Sequence, residues 1–211
     1  MDLRDQMDEI YRGIPTDRIP WNIEQPPELL VELIDTGRVR PCDAIDIGCG
    51  AVNYTVWLAA QGFRMTGIDI SPAALELAQR LALDSEVECE FVEDDITGAM
   101  DGFEAAFDFG LDWEVLHHVF PDQREAFVRN VHRMLRPGAK HLSVCFSEQD
   151  RGFGVKGRYR ETPLGTTLYF SSEPEIEQLY APLFDILELG TKEITGKYGP
   201  HVVVAALLER K

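Results

Sequence analysis

The chain has 211 residues, 20 Lys+Arg against 37 Asp+Glu, and a formal net charge of −17. That balance disfavours the electrostatic grip on phosphates behind non-specific nucleic-acid binding, and equally disfavours an anionic membrane surface. No apolar run approaches the roughly 20 residues of a spanning helix, and the acidic opening MDLRDQMDEIYRG lacks the apolar core of a signal peptide. The expectation is one soluble, cytoplasmic domain with appendages, monomeric or homodimeric, with neither nucleic acid nor membrane as partner.

In chain order, residues 27–34 place Leu29, Leu30, Leu33 and Ile34 at helical spacing. Residues 44–48, AIDIG, read as a short apolar strand running into a glycine turn. A helix is predicted over 53–60 and a strand over 63–70. Ser71 is a good N-cap with Pro72 at the first helical position, and Leu75, Ala78, Leu81 and Ala82 form the stripe of the helix that follows. Residues 87–92 alternate with acids, as an edge strand does. Strands over 107–113 and 141–146 flank a helix over 121–135 that Pro137-Gly138 should end. A helix over 173–183 and strands over 185–192 and 201–208 close the chain as a hairpin.

Strand–helix alternation at this interval predicts an α/β, doubly wound, mostly parallel sheet of seven strands with helices on both faces and an antiparallel terminal hairpin. Ligands in such sheets bind beyond the carboxyl ends of the strands, where strand order reverses. Residues 27–211 are expected to form the main domain, with an insertion at 147–170.

Charge is unevenly spread. No Lys or Arg occurs between Arg80 and Arg124, whereas residues 84–122 hold 13 acids; residues 124–160 reverse the sign, with nine basic residues against three acidic. Two solvated faces explain this; so does an acidic half that holds something cationic or hydroxyl-rich. The four cysteines form no CxxC pair and have no His at ligand spacing, so neither a disulfide framework nor a metal is expected.

Two features carry chemistry. Asp46-Ile-Gly48-Cys49-Gly50 is a strand ending in a turn whose glycines permit φ > 0 and a ligand laid against the backbone. At the end of the next strand, in GIDIS, Asp69 is placed to accept hydrogen bonds from both hydroxyls of a ribose; capping the following helix is its other reading. A nicotinamide dinucleotide wants a small residue where Asn53 stands, and Asp46 is ill-suited to a pyrophosphate. A cationic cofactor with an amino-acid tail fits better.

The stretch AIDIGCGAVNYTVWLAAQGFRMTGIDIS resembles the first two motifs of the class I S-adenosylmethionine-dependent methyltransferases. The likeness continues through FVEDDI, FDFGLDWEVLHHV and VHRMLRPGAKHLSV, over about residues 27–150. It implies S-adenosyl-L-methionine as methyl donor, S-adenosyl-L-homocysteine as product, and a small-molecule acceptor attacking in line. It also implies that Asp46, Gly48, Cys49 and Gly50 line the methionine tail, Asp69 the ribose and Ile70 the adenine. Asp95 would take the adenine amino group with Ile96 against the ring, and Asp112 and Trp113 would flank the sulfonium. One departure is Val52, where the family has a third glycine; it keeps open a non-catalytic, cofactor-binding descendant, beside the more distant nicotinamide oxidoreductase.

The resemblance further implies that residues 1–26 form an N-terminal segment that closes over the site, and residues 19–27, with Trp21, are similar to the N-terminal segment of the thiol and thiopurine methyltransferase-like branch. Trp21 either lies over the donor, as an aromatic face over a cation, or pins the N-terminal arm. His117 and His118 are candidates for a general base or for a purely structural turn. Arg158, Tyr159, Arg160 and Tyr169 in the insertion, and Tyr198 and His201 in the hairpin, are the candidate acceptor-binding residues. The basic stretch ending at Arg160 allows an anionic acceptor.

Overall fold

Apolar residues alternate along the central strands, and the two sets they define pack on opposite faces of one sheet. In the last strand Val203, Ala205 and Leu207 join one core, and Val204, Ala206 and Leu208 the other. This arrangement is seen in a computed structural model, which describes residues 2–51, 53–100, 102–154 and 157–211. The elements are α1 (Leu3–Gly13), α2 (Glu28–Asp35), β1 (Asp43–Ile47), α3 (Asn53–Ala60), β2 (Arg64–Asp69), α4 (Pro72–Asp84) and β3 (Cys89–Glu93). There follow β4 (Phe107–Trp113), α5 (Arg124–Met134), β5 (Leu135–Phe146), β6 (Tyr159–Glu161), β7 (Thr167–Tyr169), α6 (Glu173–Tyr180), β8 (Phe184–Gly196) and β9 (Gly199–Arg210).

The seven-stranded sheet has the order β3-β2-β1-β4-β5-β9-β8. The first five strands run parallel, and β9 inserts antiparallel between β5 and β8. Strand order reverses between β1 and β4, paired through Asp46 and Leu111, so the crevice expected for a ligand opens beyond Ile47 and Trp113. β8 runs parallel to β5, which brings its turn into β9 to the same end of the sheet.

Local chemistry explains the element starts. Ser71 Oγ accepts from the Ala74 amide at 3.2 Å with Pro72 in the first turn of α4. The Glu175 carboxylate reaches back to the Ser172 amide at 2.9 Å at the start of α6.

Three features depart from expectation. The opening residues form α1: Asp2 caps it through the Asp5 amide at 2.8 Å, and Met7, Ile10 and Tyr11 bury its inner stripe. Asp8 docks α1 on the start of α4, accepting from the Ala73 amide at 2.9 Å and the Ser71 hydroxyl at 3.1 Å. Pro137-Gly138 does not separate α5 from its strand. β5 starts at Leu135 and carries the pair as a ladder irregularity, its partners jumping from Phe107↔Leu135 to Phe109↔Lys140, with Gly138 at φ 78°. Within the insertion, β6 and β7 form a small separate antiparallel ladder.

Candidate functional site

The glycine turn after β1 is built as its sequence requires. Gly48 and Gly50 have φ of 65° and 61°, values at which an L side chain is strained. A Cβ on Gly48 would lie 2.5 Å from a methyl of Val115, and one on Gly50 would lie 2.6 Å from the Tyr11 hydroxyl. The Gly50 amide donates to Asp69 Oδ2 at 2.8 Å while the Ser71 amide donates to Oδ1 at 2.9 Å. Asp69 thus ties the ends of β1 and β2 together, and Ser71, not Asp69, caps α4. Val52 lies outside the described residues.

Two buried carboxylates share this turn. Asp46 accepts from the Thr55 hydroxyl at 2.6 Å. Burial pushes its carboxyl up to about 7, the charges of Asp69 and Asp112 adding to the effect and the Thr55 hydrogen bond opposing it. Burial likewise raises Asp69 to about 6 against the pull of its backbone donors. Neither has a cationic partner among the described residues, so both are poised for positive charge or hydroxyl donors.

The crevice is a cavity of about 1090 Å³. Trp21, Asp46, Gly48, Cys49, Gly50, Asp69, Ile70, Asp95, Ile96, Trp113, His117, His118, Tyr198 and His201 all line it. Asp95 also accepts from the amide and hydroxyl of Thr97. Trp21 donates to the Tyr11 hydroxyl at 2.8 Å, so it pins the N-terminal arm at the cavity wall. Tyr198 donates to the Arg18 carbonyl at 3.1 Å and Lys197 to that of Asn22 at 2.9 Å, fastening the same arm to the hairpin.

Five expected residues lie elsewhere. Asp112 is wholly buried beneath the site, paired with His141 Nε2 at 3.0 Å, because its side chain leaves β4 on the face opposite Trp113. Arg160 donates to the carbonyls of Asp150 at 2.6 Å and Glu148 at 3.1 Å and stacks 3.8 Å over Phe170. Arg158 is held by Glu148 and Glu175, and Tyr169 donates to Glu175 at 2.7 Å. Tyr159 is exposed. The insertion instead contributes Phe153, Thr162, Pro163, Leu164, Thr166 and Leu168 to the wall. Arg158 and Arg160, two of the arginines that suggested an anionic acceptor, are consumed internally.

His117 is buried, its ring stacked 4.5 Å from that of Phe146 at 9°. Burial lowers its basicity well below that of free imidazole and brings His118 down to about 4. Both are neutral at pH 7 and poor proton acceptors. Tyr11, Tyr54, Glu114 and Lys197 are among the lining residues that the sequence pattern did not reveal. Tyr54 meets Trp113 edge-on at 6.1 Å. Glu114 holds φ 63°, a left-handed conformation that no sequence pattern announces.

A methyltransferase domain family matches residues 44–138. Among curated relatives, the 2-heptyl-1-hydroxyquinolin-4(1H)-one methyltransferase of Mycobacteroides abscessus is 28% identical over 151 residues, 69% of this chain. The chain spans 66% of the length of that relative. A structure solved for the conversion of a disulfide bond into a thioacetal group during echinomycin biosynthesis superposes with a TM-score of 0.84 at 23% identity, covering 100% of this chain and 93% of its own. The 1,6-didemethyltoxoflavin-N1-methyltransferase of Burkholderia thailandensis, with S-adenosylhomocysteine bound, gives 0.70 at 22% identity over 99% and 87%. The family match falls on the glycine turn, the acidic strand ends and the β4 edge that together line the cavity, and the superposition extends along the whole chain. Residues 44–138 thus match a methyltransferase domain, and the chain as a whole has the fold of these solved structures.

Proposed function

We propose that this chain transfers the sulfonium methyl of S-adenosyl-L-methionine to a small organic acceptor. The observation that carries the reading is the pair Asp46 and Asp69, buried beside a turn where Cβ atoms have no room and lacking any cationic partner among the described residues. These groups fit the donor. Asp46 with the Gly48–Gly50 backbone suits the ammonium end, Asp69 retains lone pairs for ribose hydroxyls, and Ile70 and Ile96 offer apolar faces to a purine beside Asp95. The donor supplies an activated methyl group. The chain supplies alignment and exclusion of water, and good alignment is worth roughly 7–11 kcal/mol of barrier. Residues 1–26 act as the cover: α1, Trp21 and the Lys197 and Tyr198 contacts close one side of the cavity.

A nicotinamide dinucleotide is disfavoured by the start of α3. There Asn53 donates to Asn22 Oδ1 at 3.0 Å and to the Ile23 carbonyl at 2.8 Å, so the N-terminal arm covers the place a pyrophosphate takes. Calorimetric titration decides: heat with S-adenosylmethionine and none with NAD is expected, and the reverse refutes the reading. Asp69→Ala should weaken donor binding tenfold or more, about 1.4 kcal/mol. A donor that binds while no acceptor in a phenol, amine and thiol panel yields S-adenosylhomocysteine would indicate the non-catalytic descendant instead.

A further inference from the structure

Glu114 is the one carboxylate on the cavity wall whose oxygens have no hydrogen-bond donor among the described residues. Each of the others is engaged: Asp2 by the Asp5 amide, Asp46 by Thr55, Asp69 by two amides, Glu93 by Arg4, Asp94 by the Asp95 amide and Asp95 by Thr97. Its backbone is also unusual. At φ 63° it occupies a region costing a non-glycine residue about 1–2 kcal/mol. Strain of that kind persists where surrounding structure imposes it, and it clusters at functional sites. Here the Glu114 amide is fixed to the Val144 carbonyl at 2.8 Å, and the next residue, Val115, packs into the space above Gly48.

Glu114 shares the cavity wall with the rings of His117, Phe146, Phe153 and His201. His117 and Phe146 are stacked, Phe146 stacks in turn on Phe170 at 5.3 Å and 11°, and Phe153 stacks on His201 at 5.8 Å and 7°. Flat rings at fixed angles favour a flat guest.

We infer that Glu114 takes the proton from the methyl acceptor, and that the acceptor is a planar aromatic molecule carrying a hydroxyl group laid against the Phe153 ring. The inference rests on the methyl-transfer reading and sharpens it. The acceptor oxygen donates its O–H proton to the Glu114 carboxylate and its electron pair to the methyl carbon. The sulfur–carbon bond breaks with its pair left on sulfur, which loses its positive charge, and Glu114 returns the proton to water. No oxidant or further reactant is needed. Burial, with the charge of Asp150 second, raises the Glu114 carboxyl to about 7, matching its proton affinity to neutral pH. Asp150 itself is occupied by the amides of Gly152 and Val202, each at 2.6 Å. His117 and His118 are too weakly basic to compete.

The test compares wild type with Glu114→Gln, using S-adenosylhomocysteine, 1-hydroxyquinolin-4-one and an aryl thiol already ionised at the assay pH. Calorimetry should show S-adenosylhomocysteine bound within twofold by both proteins. The hydroxyquinolone should bind each complex within threefold, since the amide oxygen still accepts its hydrogen bond. Methylation of the hydroxyquinolone should fall at least 100-fold in kcat, whereas methylation of the aryl thiolate, which needs no base, should change less than threefold. Equal losses on both acceptors, or no loss on the hydroxyquinolone, overturn the role of Glu114. A complex with S-adenosylhomocysteine that does not bind the hydroxyquinolone overturns the acceptor class alone, and failure of wild type to bind S-adenosylhomocysteine overturns the methyl-donor reading beneath it. Should the Gln variant fail to bind S-adenosylhomocysteine, Glu114→Asp decides: a shortened carboxylate must slow the hydroxyl acceptor and spare the thiolate, and equal effects refute the inference.

Discussion

Gly48→Ala is the substitution for which the structure yields the most definite number. The residue sits at φ 65°, so any side chain costs about 1–2 kcal/mol from backbone strain. The new methyl would also lie 2.5 and 2.9 Å from the two γ-carbons of Val115, and overpacking of that kind costs about 1–3 kcal/mol. Val115 cannot retreat freely, because the Glu114 amide before it is bonded to Val144. The sum is a loss of about 2–5 kcal/mol in unfolding free energy. Urea unfolding followed by fluorescence should show a lower midpoint at unchanged slope. Val115→Ala removes both γ-carbons, so the double variant should recover the packing part and leave the backbone part, a coupling of at least about 1 kcal/mol. Additive losses, or a single-variant loss below about 1 kcal/mol, would show that the contact between the two turns is not tight.

Donor affinity should follow the ionisation of Asp46. Burial raises its carboxyl to about 7, so the charged form is the costly one in the unliganded fold, which loses stability as pH rises from about 4 through 7. An ammonium beside it favours the charged form, so calorimetric affinity for S-adenosylmethionine should rise about tenfold from pH 6 to 8 and then level off, because the competent fraction sets the apparent affinity. Asp46→Asn should flatten that slope, and a slope that survives it refutes the assignment. Arg160→Lys should destabilise the chain by about 2–4 kcal/mol in denaturant unfolding, since a lysine cannot span the Asp150, Gly152 and Glu148 carbonyls. Donor affinity should stay within twofold; a weakened donor with intact stability would return Arg160 to the cavity wall.

What the sequence revealed divides along the range of the interactions. The glycine turn, the Ser71 cap and the two acidic strand ends are written within a few neighbouring residues, and each stands where its pattern puts it. The same holds for the sheet class, because alternation and helix spacing are local. The failures are non-local. Arg158, Arg160 and Tyr169 carry the residue types of a binding loop, but their partners Glu148, Asp150 and Glu175 lie beyond any local pattern. Asp112 and Trp113 are neighbours in a strand, and pleating sends one into the core toward His141 and the other to the cavity. Glu114 gave no signal because a backbone angle decides its exposure to the site. α1 was legible after all: Leu3, Met7 and Ile10 keep helical spacing, and the acidity around them obscured it.

Tyr11 and Gly50 meet in a way that limits how this chain can be recombined with its relatives. The hydroxyl of the one fills the volume where the other would carry a side chain, and Trp21 donates to that same hydroxyl. An N-terminal helix transplanted from another protein would leave the turn without its third wall unless a phenol arrived at the same position. A turn transplanted with alanine in place of Gly50 would evict the native helix. Chimeras cut between residues 13 and 44 therefore separate two halves of a single fitting, and tolerance at either position is set by what occupies the other.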